Sequence, residues 1–227
     1  MPSEIRKEIV DRVIARRGKL HLFDSLDAKR TALLVIDMQN AFLAPGAPVE
    51  VPAARAIVPA INRLAAELRR RGVPVVWVLH ENRPDGRDWD GFFGAFVADR
   101  KKAAGALSAG AEMQKPWPEL ETEPADLRVA KNRYSALIAG SSMLERKLRE
   151  KGIDTLLIAG TKTNVCCECT ARDAMMLDYK VVMLSDCTAA LSDEEHRATL
   201  ENMIQQFGDV LTADEALRLF DRRSVQP

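Results

Sequence analysis

The chain has 227 residues, 47% of them hydrophobic, which suits one large domain with a sizeable core. Lys plus Arg and Asp plus Glu balance at 33 each, so no charge excess steers nucleic acid or an anionic membrane surface, and no RNA-reading aromatic motif is present. The apolar runs are too short to span a bilayer, and the opening MPSEIRKEIV is charged where a secretory signal needs an apolar centre; the expectation is a cytoplasmic protein with a small-molecule substrate and no nucleic-acid or membrane partner.

Residues 4–17 place Ile5, Ile9, Val13 and Ile14 on one face of a helix. Residues 1–18 therefore read as an amphipathic helical extension, able to pack on the domain or on a second subunit, and 19–227 as a single domain. ALLVIDM (32–38) is apolar and β-branched, a buried strand. From Pro52 to Arg71, Ile57, Ile61, Leu64 and Leu68 recur at helical spacing, and Gly72 ends the helix. VPVVWVLH (73–80) is a second buried strand. Residues 81–125 are irregular and hold five of the twelve Phe, Trp and Tyr side chains, the pattern of a pocket-lining insertion. LRVAK (127–131) is a short third strand, and Ser141 or Ser142 caps a helix running to Lys151. TLLIAG (155–160) is the fourth strand, followed by a helix over 165–178. KVVMLSDC (180–187) is the fifth, a helix over 193–206 is capped by Ser192, and DVLT (209–212) precedes a last helix over 213–222.

Strands that are continuous apolar runs, alternating five or six times with helices, call for a parallel sheet covered by helices on both faces. Ligands of such sheets bind at the carboxyl ends of the strands. Asp37, Gln39 and Asn40 stand there after the first strand, His80 to Arg83 after the second, Lys131 to Tyr134 at and after the third, Thr161 to Cys166 after the fourth, and Asp186 with Cys187 after the fifth.

Three cysteines crowd into GTKTNVCCECTARDAMMLDYK: Cys166, Cys167 and Cys169. They are too close for ordinary disulfides, and a reducing compartment disfavours such bonds. A zinc site needs four ligands, yet only Cys187, His21, His80 and His196 remain, without ligand spacing. With Asn164 as the cap, Cys166 falls in the first turn of its helix, where backbone N–H groups and the helix dipole favour a thiolate. Cys167 and Cys169 lie deeper, as packing. Asp37, Lys131 and Cys166 then form a working set. The thiol attacks, Asp37 takes its proton and later passes one to a leaving amine, and Lys131 holds the carboxylate and lowers the thiol.

Three stretches in this order and spacing, ALLVIDMQNAF, VAKNRYSAL and AGTKTNVCCECTARDAMMLDYKVVMLSDCTAA, resemble the isochorismatase-like cysteine hydrolases. That family includes nicotinamidases and the ureidoacrylate, N-carbamoylsarcosine, biuret and triuret hydrolases, and the likeness covers residues 30–215. It implies a three-layer, Rossmann-like α/β/α fold with a six-stranded, mostly parallel sheet, an Asp37–Lys131–Cys166 triad, an oxyanion hole from the backbone N–H groups of Lys162 and Cys166, and a cis peptide at Thr161–Lys162. It implies a homodimer or homotetramer. Isochorismatases proper cleave a vinyl ether without the cysteine, so retention of Cys166 points to C–N hydrolysis of a small amide, ureide or N-carbamoyl compound. Ether hydrolysis, a silent metabolite-binding relative and a redox couple of Cys166 with Cys187 are the alternatives. The metal set of nicotinamidases has no counterpart, because AFLAPGAPVEVP lacks histidine and only His80 lies near; no metal and no cofactor are expected. Asn40, Phe42, Arg83, Trp89, Arg133 and Tyr134 are the candidate substrate contacts. Phe92, Phe93 and Phe96 are further wall candidates, with Arg87 as a third possible carboxylate anchor.

Overall fold

Strands covered by helices on both faces must be apolar at every position. In the computed structural model, which describes residues 5–221, β1 (Thr31–Ile36), β2 (Val75–His80) and β4 (Thr155–Thr161) are buried throughout. β3 (Leu127–Lys131) is an edge strand and is only partly covered, β5 is Lys180–Ala189, and β6 (Asp209–Leu211) closes the other edge. The order is β3-β2-β1-β4-β5-β6 and every neighbouring pair is parallel, so the expected mostly parallel sheet is wholly so. Its direction of growth reverses between β1 and β4, which opens a crevice at their carboxyl ends.

Side chains alternate between two cores. Leu33, Val35, Leu157 and Ala159 face α3 (Val58–Arg70) and α9 (Ala213–Phe220). Leu34, Ile36, Leu156 and Ile158 face α6 (Leu144–Glu150), α7 (Glu168–Met176) and α8 (Asp193–Asn202). The same second core takes Ile9 and Val13 of α1 (Lys7–Arg17). α1 is further tied down by Arg6, whose guanidinium donates to both carboxylate oxygens of Glu201 at 2.8 and 2.6 Å. Ile14, expected on the apolar face, is exposed, and Glu4 lies outside the described residues.

The helices over 52–71 and 193–206 each come in two parts. A 3-10 turn (Pro52–Ile57) leads into α3, and a π turn (Met203–Phe207) follows α8. Ser192 caps α8 as expected, in a capping box with Glu195. At α6 it is the Ser142 hydroxyl that accepts from the Leu144 N–H. The last helix ends at Phe220, and Arg222 of its expected span lies outside the described residues. Residues 81–125 contribute α4 (Asp90–Ala95) and α5 (Arg100–Ala106); with α2 (Asn40–Leu43) they lie along the carboxyl rim. Among the described residues no helix is long and apolar enough to cross a membrane.

Gly160 sets the distance between β4 and β1. Its φ is 113°, and a Cβ there would lie 2.0 Å from the Ile36 carbonyl oxygen. Only glycine tolerates both the conformation and the approach. Gly160→Ala is expected to lose roughly 3 kcal/mol, measured as a lowered urea midpoint, and to distort the loop carrying Cys166.

Candidate active site

Each triad member occupies the carboxyl end of a different strand. Asp37 follows β1 in the left-handed region, φ 54°, a conformation aspartate tolerates better than most residues. Its N–H donates to the Val78 carbonyl at 2.8 Å, which pins the turn, and its carboxyl is fully buried. Lys131 ends β3, two strands away. Strands are spaced about 4.8 Å apart, so a long side chain is needed to cross β2. It passes beside His80, its register partner, and its ammonium arrives 2.9 Å from Asp37 Oδ2.

That ammonium has three protons and three acceptors: Asp37 Oδ2, the Arg133 carbonyl at 3.0 Å and His80 Nδ1 at 3.2 Å. His80 Nε2 lies 2.8 Å from Asn82 Oδ1. An amide oxygen only accepts, so Nε2 carries the proton and Nδ1 is the acceptor facing Lys131. Burial and the Lys131 charge hold this imidazole well below the usual histidine range, in keeping with a neutral ring. Sequence reasoning placed His80 at the rim without a role; its register with Lys131 is the signal that assigns one. Gln39 locks the same strand end, accepting from the His80 N–H at 2.7 Å and donating to its carbonyl at 2.9 Å.

His80→Ala removes one acceptor from Lys131 and leaves Asn82 Oδ1 unpaired. The expected result is about a fivefold loss in kcat, corresponding to the ~1 kcal/mol of a net hydrogen bond, with the fold retained. His80→Gln, whose amide oxygen can accept from Lys131, should recover part of it. Steady-state kinetics with circular dichroism as control checks both.

Cys166 sits in a π turn, Thr163–Cys167, between β4 and α7. Asn164 does not cap it: Lys162 holds the cap position without a side-chain bond, and Asn164 Oδ1 has no hydrogen-bond partner. The turn is held instead by the Thr163 hydroxyl, 2.9 Å from His196 Nδ1, while His196 Nε2 donates to the Ser185 carbonyl at 3.1 Å. The Thr161–Lys162 peptide is cis. The Cys166 thiol is buried within hydrogen-bonding reach of Asp37 and Lys131. The second carboxylate oxygen, Asp37 Oδ1, is buried without a hydrogen-bond partner.

Electrostatics correct the expectation of a resting thiolate. Burial pushes the Cys166 thiol up, the Asp37 charge adds to it, and the pull of Lys131 does not offset them. Burial also raises Asp37 above the usual carboxylate range, against the pull of Lys131. Burial alone would lower Lys131, but Asp37 and Cys166 beside it leave it raised. Burial thus disfavours a resting thiolate, and Asp37 is the basic group within reach of the thiol proton.

Cys167 is buried, its thiol 3.9 Å from the Ala159 carbonyl, and Cys169 is half-buried. Cys166 and Cys187 belong to the cores on opposite faces of the sheet, which removes the basis for a disulfide between them.

The thiol opens on a cavity of about 230 Å³. Phe42, Trp89, Phe92, Phe93 and Tyr134 line it, with Val165 beside Cys166. Three other candidates stand outside the lining. Asn40 donates to the Glu112 carbonyl at 2.8 Å and holds that loop. Arg83 is exposed, 3.7 Å from Asp85. Arg133 lies over the Trp89 ring, 5.3 Å from its centroid. Phe96 is exposed, stacked on Phe92 from outside. The contribution of α5, through Ala103 and Ala106, had no signal in the sequence beyond position in the insertion. Among the described residues no three His, Cys, Asp or Glu side chains group as metal donors, and both ring nitrogens of His80 are engaged.

This arrangement has close parallels. An isochorismatase domain model matches residues 31–215. A probable inactive nicotinamidase of Arabidopsis thaliana is 36% identical over 178 residues, 77% of this chain and 88% of the relative. A ureidoacrylate amidohydrolase of Variovorax paradoxus is 32% identical over 212 residues, 86% of this chain and 83% of the relative. A crystal structure of a cysteine hydrolase from Pseudomonas syringae pv. phaseolicola superposes with a TM-score of 0.81 at 30% identity, covering 87% of this chain and 95% of that one. Sequence and fold agree over nearly the whole domain, and the chain belongs to the isochorismatase family of hydrolases, beside members that cleave amide carbon–nitrogen bonds.

Proposed function

We propose that the protein hydrolyses a C–N bond in a small amide, ureide or N-carbamoyl compound through a covalent acyl-enzyme on Cys166. The observation that carries this reading is the buried Asp37–Lys131 ion pair beside a thiol that faces a cavity. A structural ion pair has no need of a nucleophile next to it, and buried pairs are poor sources of stability.

Asp37 takes the Cys166 proton as sulfur adds to the carbonyl carbon. The carbonyl oxygen becomes an oxyanion held by the N–H groups of Lys162 and Cys166. Its collapse breaks the C–N bond, and Asp37 returns the proton to the leaving nitrogen, which departs as ammonia or an amine. Asp37 then takes a proton from water, hydroxide adds to the thioester or thiocarbamate, and the acid is released as sulfur recovers its proton. Lys131 stays charged throughout and keeps Asp37 ionised between proton transfers. The raised position of Asp37 suits both its roles, because a stronger base is also a usable acid near neutral pH.

Ammonia release from a panel of ureides, N-carbamoyl acids and simple amides tests this, with and without chelator, together with intact-protein mass spectrometry. Turnover accompanied by an acyl adduct on Cys166 is expected. Binding of panel members without release or adduct would favour the silent role that the name of the Arabidopsis relative raises.

A further inference from the structure

We infer that the substrate body beyond the scissile carbonyl is apolar and uncharged, an alkyl or aryl carboxamide or urea in place of a carboxylate-bearing ureide. The inference rests on the hydrolase reading above and concerns the same cavity.

Three observations carry it. First, the walls are aromatic and interlocked: Trp89 stacks on Phe92 at 4.6 Å, Tyr134 meets Trp89 edge-on at 4.7 Å, and Phe93 meets Phe92 edge-on at 5.2 Å. Such a wall is pre-organised and presents mainly π faces, with the Trp89 indole N–H and the Tyr134 hydroxyl as its hydrogen-bonding groups. Second, two of the polar side chains that line the cavity, His80 and Asn82, are already engaged. His80 uses both ring nitrogens, while Asn82 accepts from His80 and donates to Asp88 at 3.2 Å. Third, the arginines that would bind a carboxylate face elsewhere. Arg83 is exposed beside Asp85, Arg87 is exposed, and Arg133 donates to the Asn132 carbonyl at 2.8 Å and lies over Trp89. No Asp, Glu or Arg is among the lining residues, and Lys162 is the one surface-reaching cation there.

Size adds to this. About 230 Å³ is below the roughly 300–1,000 Å³ typical of drug-sized ligands, so the body is small and mostly enclosed. A carboxylate entering such a space loses its hydration without full replacement. A methylene gains about fourfold in affinity, the equivalent of ~0.8 kcal/mol.

The test pairs turnover with binding. kcat/KM is measured on wild type for acetamide, butyramide, 3-methylbutyramide, phenylacetamide and phenylurea, and for the anions N-carbamoylglycine and succinamate. Dissociation constants for the same compounds are measured by calorimetry on Cys166→Ala protein, which needs no chemistry. The expected result is a rise of about fourfold per methylene until the cavity fills, with anions at least tenfold weaker than neutral compounds of similar size. An anion preference that disappears in Lys162→Ala overturns the inference and makes Lys162 a carboxylate anchor. An anion preference that survives in Lys162→Ala also overturns it, as does failure of every neutral compound to bind at millimolar concentration. Absence of turnover on all compounds would sink the hydrolase reading alone, since the binding series still ranks neutral against charged.

Discussion

Replacing Cys166 with alanine is expected to lower kcat/KM on the order of 10⁴-fold or more, down to the background of substrate binding and the oxyanion hole. In the proposed mechanism the sulfur forms the covalent bond, and no second thiol is placed to substitute. Cys167 is directed toward the Ala159 carbonyl in the core, and Cys187 belongs to the opposite face of the sheet. Removing Cys166 also relieves Asp37 of a buried neighbour, so folding should survive, and a preserved thermal midpoint is the control. Cys167→Ala should stay active and lose only packing, about 1–2 kcal/mol. Full activity in Cys166→Ala would end the covalent mechanism. The pH profile gives a further check. Asp37 must be ionised to accept the thiol proton, and its burial raises it, so the acid limb of kcat/KM should fall above the ordinary aspartate range. Because the three groups titrate together, that limb belongs to the cluster as a whole.

How much of this was legible from the chain depends on what kind of force places each residue. The strands along the chain and the rim positions of Asp37, Lys131 and Cys166 follow from apolar runs and from the rule that parallel sheets present their carboxyl ends to ligands, and the three side chains do converge there. Phe42, Trp89 and Tyr134 face the cavity as bulky apolar side chains on a rim tend to. Asn40, Arg83 and Arg133 do not, because local partners in the Glu112 loop, Asp85 and the Trp89 ring outcompete an open cavity for polar groups. Asn164 was a reasonable cap by residue type, but the chain begins the turn one residue earlier, with a π geometry that periodicity cannot signal. The resting thiol was misjudged for a physical reason: a helix terminus favours a thiolate only when solvent or a net positive charge accompanies it. Here burial and Asp37 dominate. His80 escaped notice because its partner Lys131 is 51 residues away, and only strand register joins them.

Lys131→Met should abolish turnover and also destabilise the fold, by roughly 3–5 kcal/mol. Lys131 and Asp37 are both wholly buried and 2.9 Å apart, so deleting the cation leaves a carboxylate without compensation in the interior. Protonation offers Asp37 an escape, which sets the sign of the pH dependence. With Lys131 gone, the folded-state value of Asp37 rises further above that of the unfolded chain. A group raised by folding stabilises the protein as pH falls toward its unfolded value, about 3.9 for aspartate. The deficit of Lys131→Met against wild type should therefore be largest at neutral pH and shrink on acidification. Adding Asp37→Asn removes the stranded charge: the double variant should regain a large part of the lost stability at pH 7 and remain inactive. Urea unfolding at two pH values, on both single variants and the double, measures all of this. A Lys131→Met protein as stable as wild type at neutral pH would show that solvent reaches Asp37 and that the site is not sealed. In the proposed mechanism the pair matters for the same reason it is costly to the fold: a dry interior makes Asp37 a stronger base toward the buried thiol, and the charge of Lys131 opposes its protonation.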